Sequence, residues 1–409
     1  MRVVILTESF LPDVNGVSNS VVRCADHLVE QGHDLLILAP QAEGMPADYR
    51  GAPVVPMAAV PMPGYAQVRI AATPRVLLAR TLAGFSPDVV HLASPINVGC
   101  RGLLAARDLG LPTVAIYQTD VPSYAARYRL PALEPLLWQR VKLIHEAATL
   151  TLVPSTSSMN QLRQHGVGRL HHWGRGVDGR LFSPARRDDA LRARLAPGRK
   201  IIGYLGRLAH EKQVADLRVL ADLPGTQTVI VGDGPCRAEL ETQLPDAIFL
   251  GQLRGEELAR TVASFDVFVT PGELETFGQT IQEALASGVP VVAPASGGPI
   301  DLVQPSHTGW LYAPGDLAAM RGHVADLLGD DRKRAAFSAA ARAWVAPRTW
   351  DAVCARLVQY YRSAIASNRE QLAHHLADPL GELLGWEGPR ERVRDLGLDR
   401  RPRQRSIAS

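Results

Sequence analysis

Short runs of β-branched and aliphatic residues alternate along the chain with stretches in which apolar residues recur every three or four positions. The first pattern marks strands and the second marks helices, so their alternation predicts parallel sheets covered by helices. In the first half the runs predict strands at Val3–Thr7, Leu35–Ala39, Val89–Leu92, Val114–Tyr117 and Thr151–Val153. A second set is expected at Ile201–Leu205, Val229–Val231, Val267–Val269 and Val291–Ala293. Between the sets, "GRGVDGRLFSPARRDD" at 174–189 reads as a linker. The pattern therefore predicts two doubly wound α/β domains, 1–180 and 181–346, facing a cleft. After Pro347, the residues Trp350, Val353, Leu357 and Tyr360 follow the helical period, giving a helix within 347–366. Residues 367–409 end in "DRRPRQRSIAS", which has no apolar period, and are expected to form a partly disordered tail.

Composition agrees with two buried cores: 46% of the 409 residues are apolar and 21% charged, which excludes a mostly disordered chain. No apolar run reaches the roughly 18 residues of a membrane span, and no leader-like segment precedes the first strand. Cys24, Cys100, Cys236 and Cys354 have no paired spacing, which suits thiols in a reducing compartment. A cytoplasmic location is expected. The net charge of +3 is unevenly spread, since residues 50–145 hold ten Lys/Arg against four Asp/Glu, an excess of +6. Either a charged partner or ordinary solvated arginine accounts for that excess.

Ligands in doubly wound sheets sit beyond the carboxyl ends of the strands. Past Leu205 comes "GRLAHEK", with Arg207 and Lys212 five residues apart. A guanidinium fork and an ammonium suit a diphosphate leaving group, although Lys212 could simply pair with Glu211. Past Val231 comes "GDGP", where Gly232 lets backbone approach a ligand, and past Ala293 comes "PASGGP".

Past Val269 lies "GELETFGQTIQEALASG", with Glu275 and Glu283 eight positions apart. If a helix begins near Gly278, then Ile281, Ala284 and Leu285 form its buried face and Glu283 points about 160° from Leu285. Glu275 precedes the first turn, where Phe277, Gly278 and Gln279 offer backbone N–H groups to a phosphate. A carboxylate accepts from two adjacent hydroxyls at once, so Glu275 can grip a sugar and Glu283 a ribose diol. An isolated pair at this spacing would more simply be a capping and a surface glutamate. The neighbouring Arg207, Lys212 and glycine turns favour the site.

In the first domain, "LTESFLPDVNGVSNSVV" places Asn15 and Gly16 before a helix whose N–H groups would face the cleft. "YQTDVPSY" sets Gln118, Thr119 and Asp120 at another strand end, as cleft-facing polar groups or as turn caps. The three-glycine dinucleotide fingerprint, a Walker loop and a complete G-x-S-x-G elbow are missing, and His171–His172 and His374–His375 lack metal-ligand spacing.

The ordered set "NGVSNSVV", "PDVVHLASP", "YQTDVP", "GRLAHEK", "VGDGP", E-x7-E, "EALASGVPVVAPASGGP" and "TWDAV" resembles family 4 retaining glycosyltransferases of the GT-B fold, over nearly the whole chain to about residue 366. The wording is most similar to GDP-mannose-dependent α-mannosyltransferases of lipoglycan synthesis. The resemblance implies two Rossmann-like domains, with the last helix crossing back to the first. It implies that Arg207 and Lys212 bind the donor diphosphate, Glu275 the donor sugar and Glu283 the ribose, with Gly16 near the transferred sugar. Many family members carry histidine where Gln118 stands, so Gln118 is expected only as a polar sugar contact, beside Asn15 and Asp120. No cofactor or metal is expected, because Arg207 and Lys212 supply the positive charge.

The expected activity is transfer of mannose from GDP-mannose, with retention, to a membrane glycolipid such as a glucuronosyl diacylglycerol or phosphatidylinositol mannoside. The expected partners are the nucleotide sugar, that glycolipid and an anionic membrane surface on the cytoplasmic face, with no nucleic acid. Two alternatives are a UDP-sugar-dependent lipid glycosyltransferase, for sulfoquinovosyl or glucosyl transfer, and a catalytically silent sugar-nucleotide-binding protein. The basic stretch supplies the candidate docking surface, in "YAQVRIAATPRVLLARTL" and "RYRLPALEPLLWQRVK".

Overall fold

The structure is a computed structural model that describes residues 1–13, 15–62, 65–120, 122 and 133–376, with side chains described outside 61–71 and 371–376. Its strands are β1 (Arg2–Leu6), β2 (Asp34–Pro40), β3 (Asp48–Tyr49), β4 (Ala52–Met57), β5 (Ala59–Met62), β6 (Tyr65–Ala71), β7 (Val89–Leu92), β8 (Thr113–Ile116), β9 (Leu150–Val153) and β10 (Leu170–His172). The second half adds β11 (Lys200–Leu205), β12 (Thr226–Val231), β13 (Ile248–Gly251), β14 (Val267–Val269), β15 (Val291–Pro294) and β16 (Gly309–Tyr312). Helices bearing on the site are α1 (Gly16–Glu30), α2 (Arg75–Phe85), α3 (Val98–Asp108), α4 (Glu134–Ala147), α5 (Gln279–Ala286) and α6 (Trp350–Leu376).

The first sheet runs β10-β9-β8-β7-β1-β2-β4-β3, parallel except for the β3–β4 pair, and the second runs β13-β12-β11-β14-β15-β16, parallel throughout. A hairpin of β5 and β6 stands apart. Strand order reverses around β1 in the first sheet and around β11 in the second, and crevices form at such reversals.

Because both faces of these strands are covered, they read as unbroken apolar runs. In β1, Val3 and Ile5 pack with Val21, Cys24 and Leu28 of α1 and with α6, while Val4 and Leu6 pack with Leu78 and Leu82 of α2 and Leu103 of α3. In the second domain Ile281, Ala284 and Leu285 of α5 lie against Ile201, Val229 and Val291, as the helical spacing predicts. Burying each such aliphatic side chain is worth about 1.5–3 kcal/mol.

The nine expected strands are all present, two with identical bounds and the others displaced by up to three residues at an end. The pattern missed β3 to β6, β10, β13 and β16. Pro53 and Pro56 in β4 argue against a strand locally, yet β4 pairs with β2 from Ile37–Val54 to Pro40–Met57. The others are short or carry few aliphatic residues.

Helix α6 brings the chain back from the second domain to the first, where Trp350, Cys354, Leu357, Val358, Tyr361 and Ala364 complete its core. It runs on past residue 366 to Leu376, into what the sequence suggested was tail, and Asn368 donates to Gly110 O at 2.9 Å there. Residues 377–409, the rest of the expected tail, lie outside the described residues. All four cysteines are free. The buried His91 Nδ1 meets the buried Tyr361 hydroxyl at 2.5 Å. Removing that hydroxyl leaves a buried ring nitrogen without its partner, which costs about 1–3 kcal/mol. Tyr361→Phe is therefore expected to lower the thermal midpoint while keeping the wild-type circular dichroism, and an unchanged midpoint would mean that the contact contributes nothing.

Candidate active site

Arg207 and Lys212 stand past the end of β11, and Glu275 stands past the end of the neighbouring β14. Lys212 closes a single 3-10 turn, His210–Lys212, and its Nζ pairs with Glu275 Oε1. Both side chains are about four-fifths buried, at 17% and 20% exposure, so the pair is shielded from screening. Arg207 is half exposed and pairs with Glu211, whose side chain is fully buried. The structure thus reverses the simplest local pairing: Glu211 holds the arginine, leaving the lysine for Glu275. Gln213 Oε1 accepts from Glu273 N at 3.1 Å and fastens the two loops together.

The glycine turns act behind this pair. Gly298 N donates to Glu275 O at 2.7 Å, and a Cβ on Gly298 would come within 2.0 Å of Phe277 O. "SGGP" is therefore a close backing for the backbone that carries Glu275. Gly232 packs in the same way, since a Cβ there would lie 1.9 Å from Gly206 O, next to Arg207. Phe277 is buried in the core, and the N–H groups of Phe277, Gly278 and Gln279 make no hydrogen bond to a described residue. Gln279 Nε2 donates to Gly176 O at 3.1 Å. Glu283, on the first turns of α5, is partly buried rather than solvated, and burial pushes its carboxyl up to about 7 against the pull of a Gln279 hydrogen bond and Arg23.

On the first-domain wall the structure gives several expected residues different tasks. Asn15 caps α1: its Oδ1 accepts from Val17 N at 2.9 Å and Ser18 N at 3.0 Å, and its Nδ2 donates to Ser9 Oγ at 2.7 Å. Of the helix-start N–H groups that the sequence offered to the cleft, those of Val17 and Ser18 are thus satisfied by their own cap. Gly16 is exposed beside that cap. Gln118 is only 9% exposed, and its amide donates to Ala93 O at 2.8 Å and accepts from Arg175 Nη2 at 2.6 Å. Asp120 accepts from Gln161 Nε2 at 3.0 Å.

Two residues escaped the sequence reading. Glu8 accepts from Asn97 N at 2.8 Å and Val98 N at 2.9 Å, capping α3 at the end of β1, and burial raises its carboxyl. Arg175, read as linker, is buried, and its guanidinium also donates to Gly16 O. A charged residue flanked by two glycines was the only signal for it. One group of metal-ligating type occurs among the described residues, His210, Cys236 and Glu239, whose ligand atoms lie within 4.8 Å of one another. It includes none of the residues expected to hold the donor.

The walls touch at the site itself. Thr276 Oγ1, next to Glu275, donates to Gln118 O at 2.9 Å, and Gln282 Nε2, next to Glu283, donates to Arg175 O at 3.0 Å. A cleft with two cations, two carboxylates and free N–H groups at a strand-order reversal can hold a diphosphate flanked by two polyols.

Residues 14–180 match Glycosyltransferase Family 4, and residues 187–344 match Glycosyl transferases group 1. The chain is 47% identical over 370 residues to a GDP-mannose-dependent alpha-mannosyltransferase of Mycolicibacterium smegmatis, covering 89% of this chain and 98% of that protein. It is 34% identical to the sulfoquinovosyl transferase SQD2 of Arabidopsis thaliana, over 89% of this chain and 74% of that one. In fold it is similar to sucrose-phosphate synthase from Thermosynechococcus elongatus, at a TM-score of 0.75 and 22% identity over 90% of this chain and 99% of that chain. Two Rossmann-like sheets with a returning helix, matched along both halves to these sequence families, make this chain a family 4 glycosyltransferase of the GT-B fold.

Proposed function

We propose that the enzyme transfers mannose from GDP-mannose, with retention, to a glycolipid at the cytoplasmic face of a membrane, in lipomannan-type lipoglycan assembly. The observation that carries this reading is the Lys212–Glu275 pair beside Arg207, at the strand ends where a nucleotide sugar would lie. High identity to a protein named for GDP-mannose supports the donor. Arg207 and Lys212 meet the charge that grows on the leaving diphosphate, a task that needs no metal. Glu275 grips the donor sugar and Glu283 the ribose. The C1–O bond to the diphosphate breaks as the acceptor oxygen bonds to C1 on the same face, and a donor phosphate oxygen takes the acceptor proton. A second reading is sulfoquinovosyl transfer from a UDP-linked donor, and the similarity to the sulfoquinovosyl transferase supports the transferred group.

A panel of nucleotide sugars with membrane lipid extract tests the donor. GDP-mannose is expected to give the fastest transfer, and Glu275→Gln to lower turnover about 100-fold or more while the protein stays folded. Faster transfer from a UDP sugar would favour the second reading, and near-normal turnover in the variant would remove Glu275 from its role.

Glu283 gives a pH test. Burial lifts the Glu283 carboxyl from its ordinary value of 4.5 to about 7, so between those pH values the folded state holds more protons than the unfolded state. Its contribution to stability therefore falls as pH rises through that window. Glu283→Gln is expected to melt higher than wild type at pH 8, with the difference shrinking toward pH 5, and yet to bind GDP more weakly at pH 8. Unchanged GDP affinity would argue against the ribose contact.

The first-domain surface supports the lipid acceptor only in part as the sequence suggested. Leu78, Leu82 and Trp138 are core residues, because α2 and α4 turn them inward, and Arg75 is ion-paired with Asp108. The side chains of Arg69, Arg127 and Arg129 lie outside the described residues. What remains outward is Val76, Leu77 and Arg80 on α2, and Leu133, Leu136, Arg140, Lys142 and Leu143 on and before α4, the apolar ones at 45–65% exposure. Among the described residues no helix is long and apolar enough to cross a membrane, so contact would be peripheral. Flotation with anionic vesicles is expected to carry the protein in low salt, to fade as salt rises, and to weaken when Leu136, Lys142 and Leu143 become Ser. Equal flotation with neutral vesicles, or none with anionic ones, would exclude this surface.

A further inference from the structure

Arg175 lies in the connection between the two domains, 8% exposed, and its two hydrogen-bond acceptors are neutral: Gly16 O and, at 2.6 Å, Gln118 Oε1. The described residues give it no ion pair. Burying the guanidinium costs stability that the field of the Glu275 carboxylate offsets only in part, and an apolar side chain would join two domains without that cost. What the charge serves is read from the groups its hydrogen bonds hold beside Glu275.

Those bonds form a chain across the cleft. The Gln118 amide is fixed at both ends, by Arg175 and by Ala93 O at 2.8 Å. The Gln118 carbonyl accepts from Thr276, the residue after Glu275, and the Arg175 carbonyl accepts from the fully buried Gln282, the residue before Glu283. Both carboxylates of the second domain thus have a chain neighbour tied to one first-domain unit, Gln118 with Arg175. Hydrogen bonds from an ionised donor are about twice as strong as neutral ones, so the guanidinium holds Gly16 and Gln118 more firmly than an amide would.

We propose that Arg175 is a positioning residue for sugar transfer. Through Gly16 and Gln118 on one side, and through Gln282 on the other, it sets the spacing between the acceptor wall and the two donor carboxylates. The proposal deepens the donor-site reading and rests on Glu275 and Glu283 serving as donor ligands. A displacement of about 1 Å between reacting groups can cost on the order of 100-fold in rate, so a strut of this kind acts on turnover rather than on nucleotide affinity.

The test is a double-mutant cycle of Arg175→Met and Gln118→Met in the full chain, read by kcat, by calorimetric affinity for GDP and by small-angle scattering of the free protein. Each single variant is expected to lose about 10- to 100-fold in kcat, and the double variant to be no slower than the slower single. Arg175→Lys, which keeps a charged donor, is expected to fall between wild type and Arg175→Met. Affinity for GDP, whose expected ligands stand on the second domain, should change less than about threefold, which also certifies the fold of each variant. Free Arg175→Met should have a larger radius of gyration than wild type. Losses that multiply in the double variant, a GDP affinity that falls in step with kcat, or unchanged scattering would each overturn the proposal. If wild type transferred sugar from no donor, the donor reading would fail, and the scattering comparison would still decide whether Arg175 holds the walls together.

Discussion

Lys212 and Glu275 belong to loops that share no local sequence, yet they meet because β11 and β14 are hydrogen-bonded neighbours in a parallel sheet. Parallel strands deliver their chain ends to one edge, so the loops after adjacent strands lie side by side. The pair aims Glu275 into the cleft, and partial burial makes the attraction stronger than it would be in open water. Much of the surrounding structure serves that arrangement. Glu211 takes Arg207, Gln213 fastens the two loops, and Gly298 backs the Glu275 carbonyl.

The two walls are built differently. The second-domain wall carries the charges, and its glycines permit backbone contacts as close as any side chain would forbid. The first-domain wall is held by caps: Asn15 on α1 and Glu8 on α3 satisfy N–H groups at helix starts. Helix α6 then joins the walls from behind, filling the core of the first domain with residues that follow the second in sequence. Glu283 stands apart, since burial makes its charge unfavourable, so its carboxylate lowers stability where it is ionised.

By itself the sequence determined the elements and their chemistry. Unbroken apolar runs such as Val3–Leu6 and Val229–Val231 specify strands covered on both faces, and the 3.6-residue period fixes which side of α5 is core, because these signals depend only on neighbours along the chain. The ordered motifs around Arg207, Lys212, Glu275 and Glu283 were legible for the same reason. What the tertiary structure alone decided is which groups are already spent. Asn15 and Gln118 look like free polar contacts in the sequence, but one is a cap and the other is bound at both ends of its amide. Leu78, Leu82 and Trp138 look like an interface and are core, whereas Leu136 and Leu143 point outward. Arg175 was invisible because its partners, Gly16 and Gln118, lie 159 and 57 positions away. The Asn15 cap is local, made to residues two and three positions on, but the partners of Gln118 and Arg175 and the burial of Leu78, Leu82 and Trp138 are set by packing between distant segments, which no local pattern of residue types encodes.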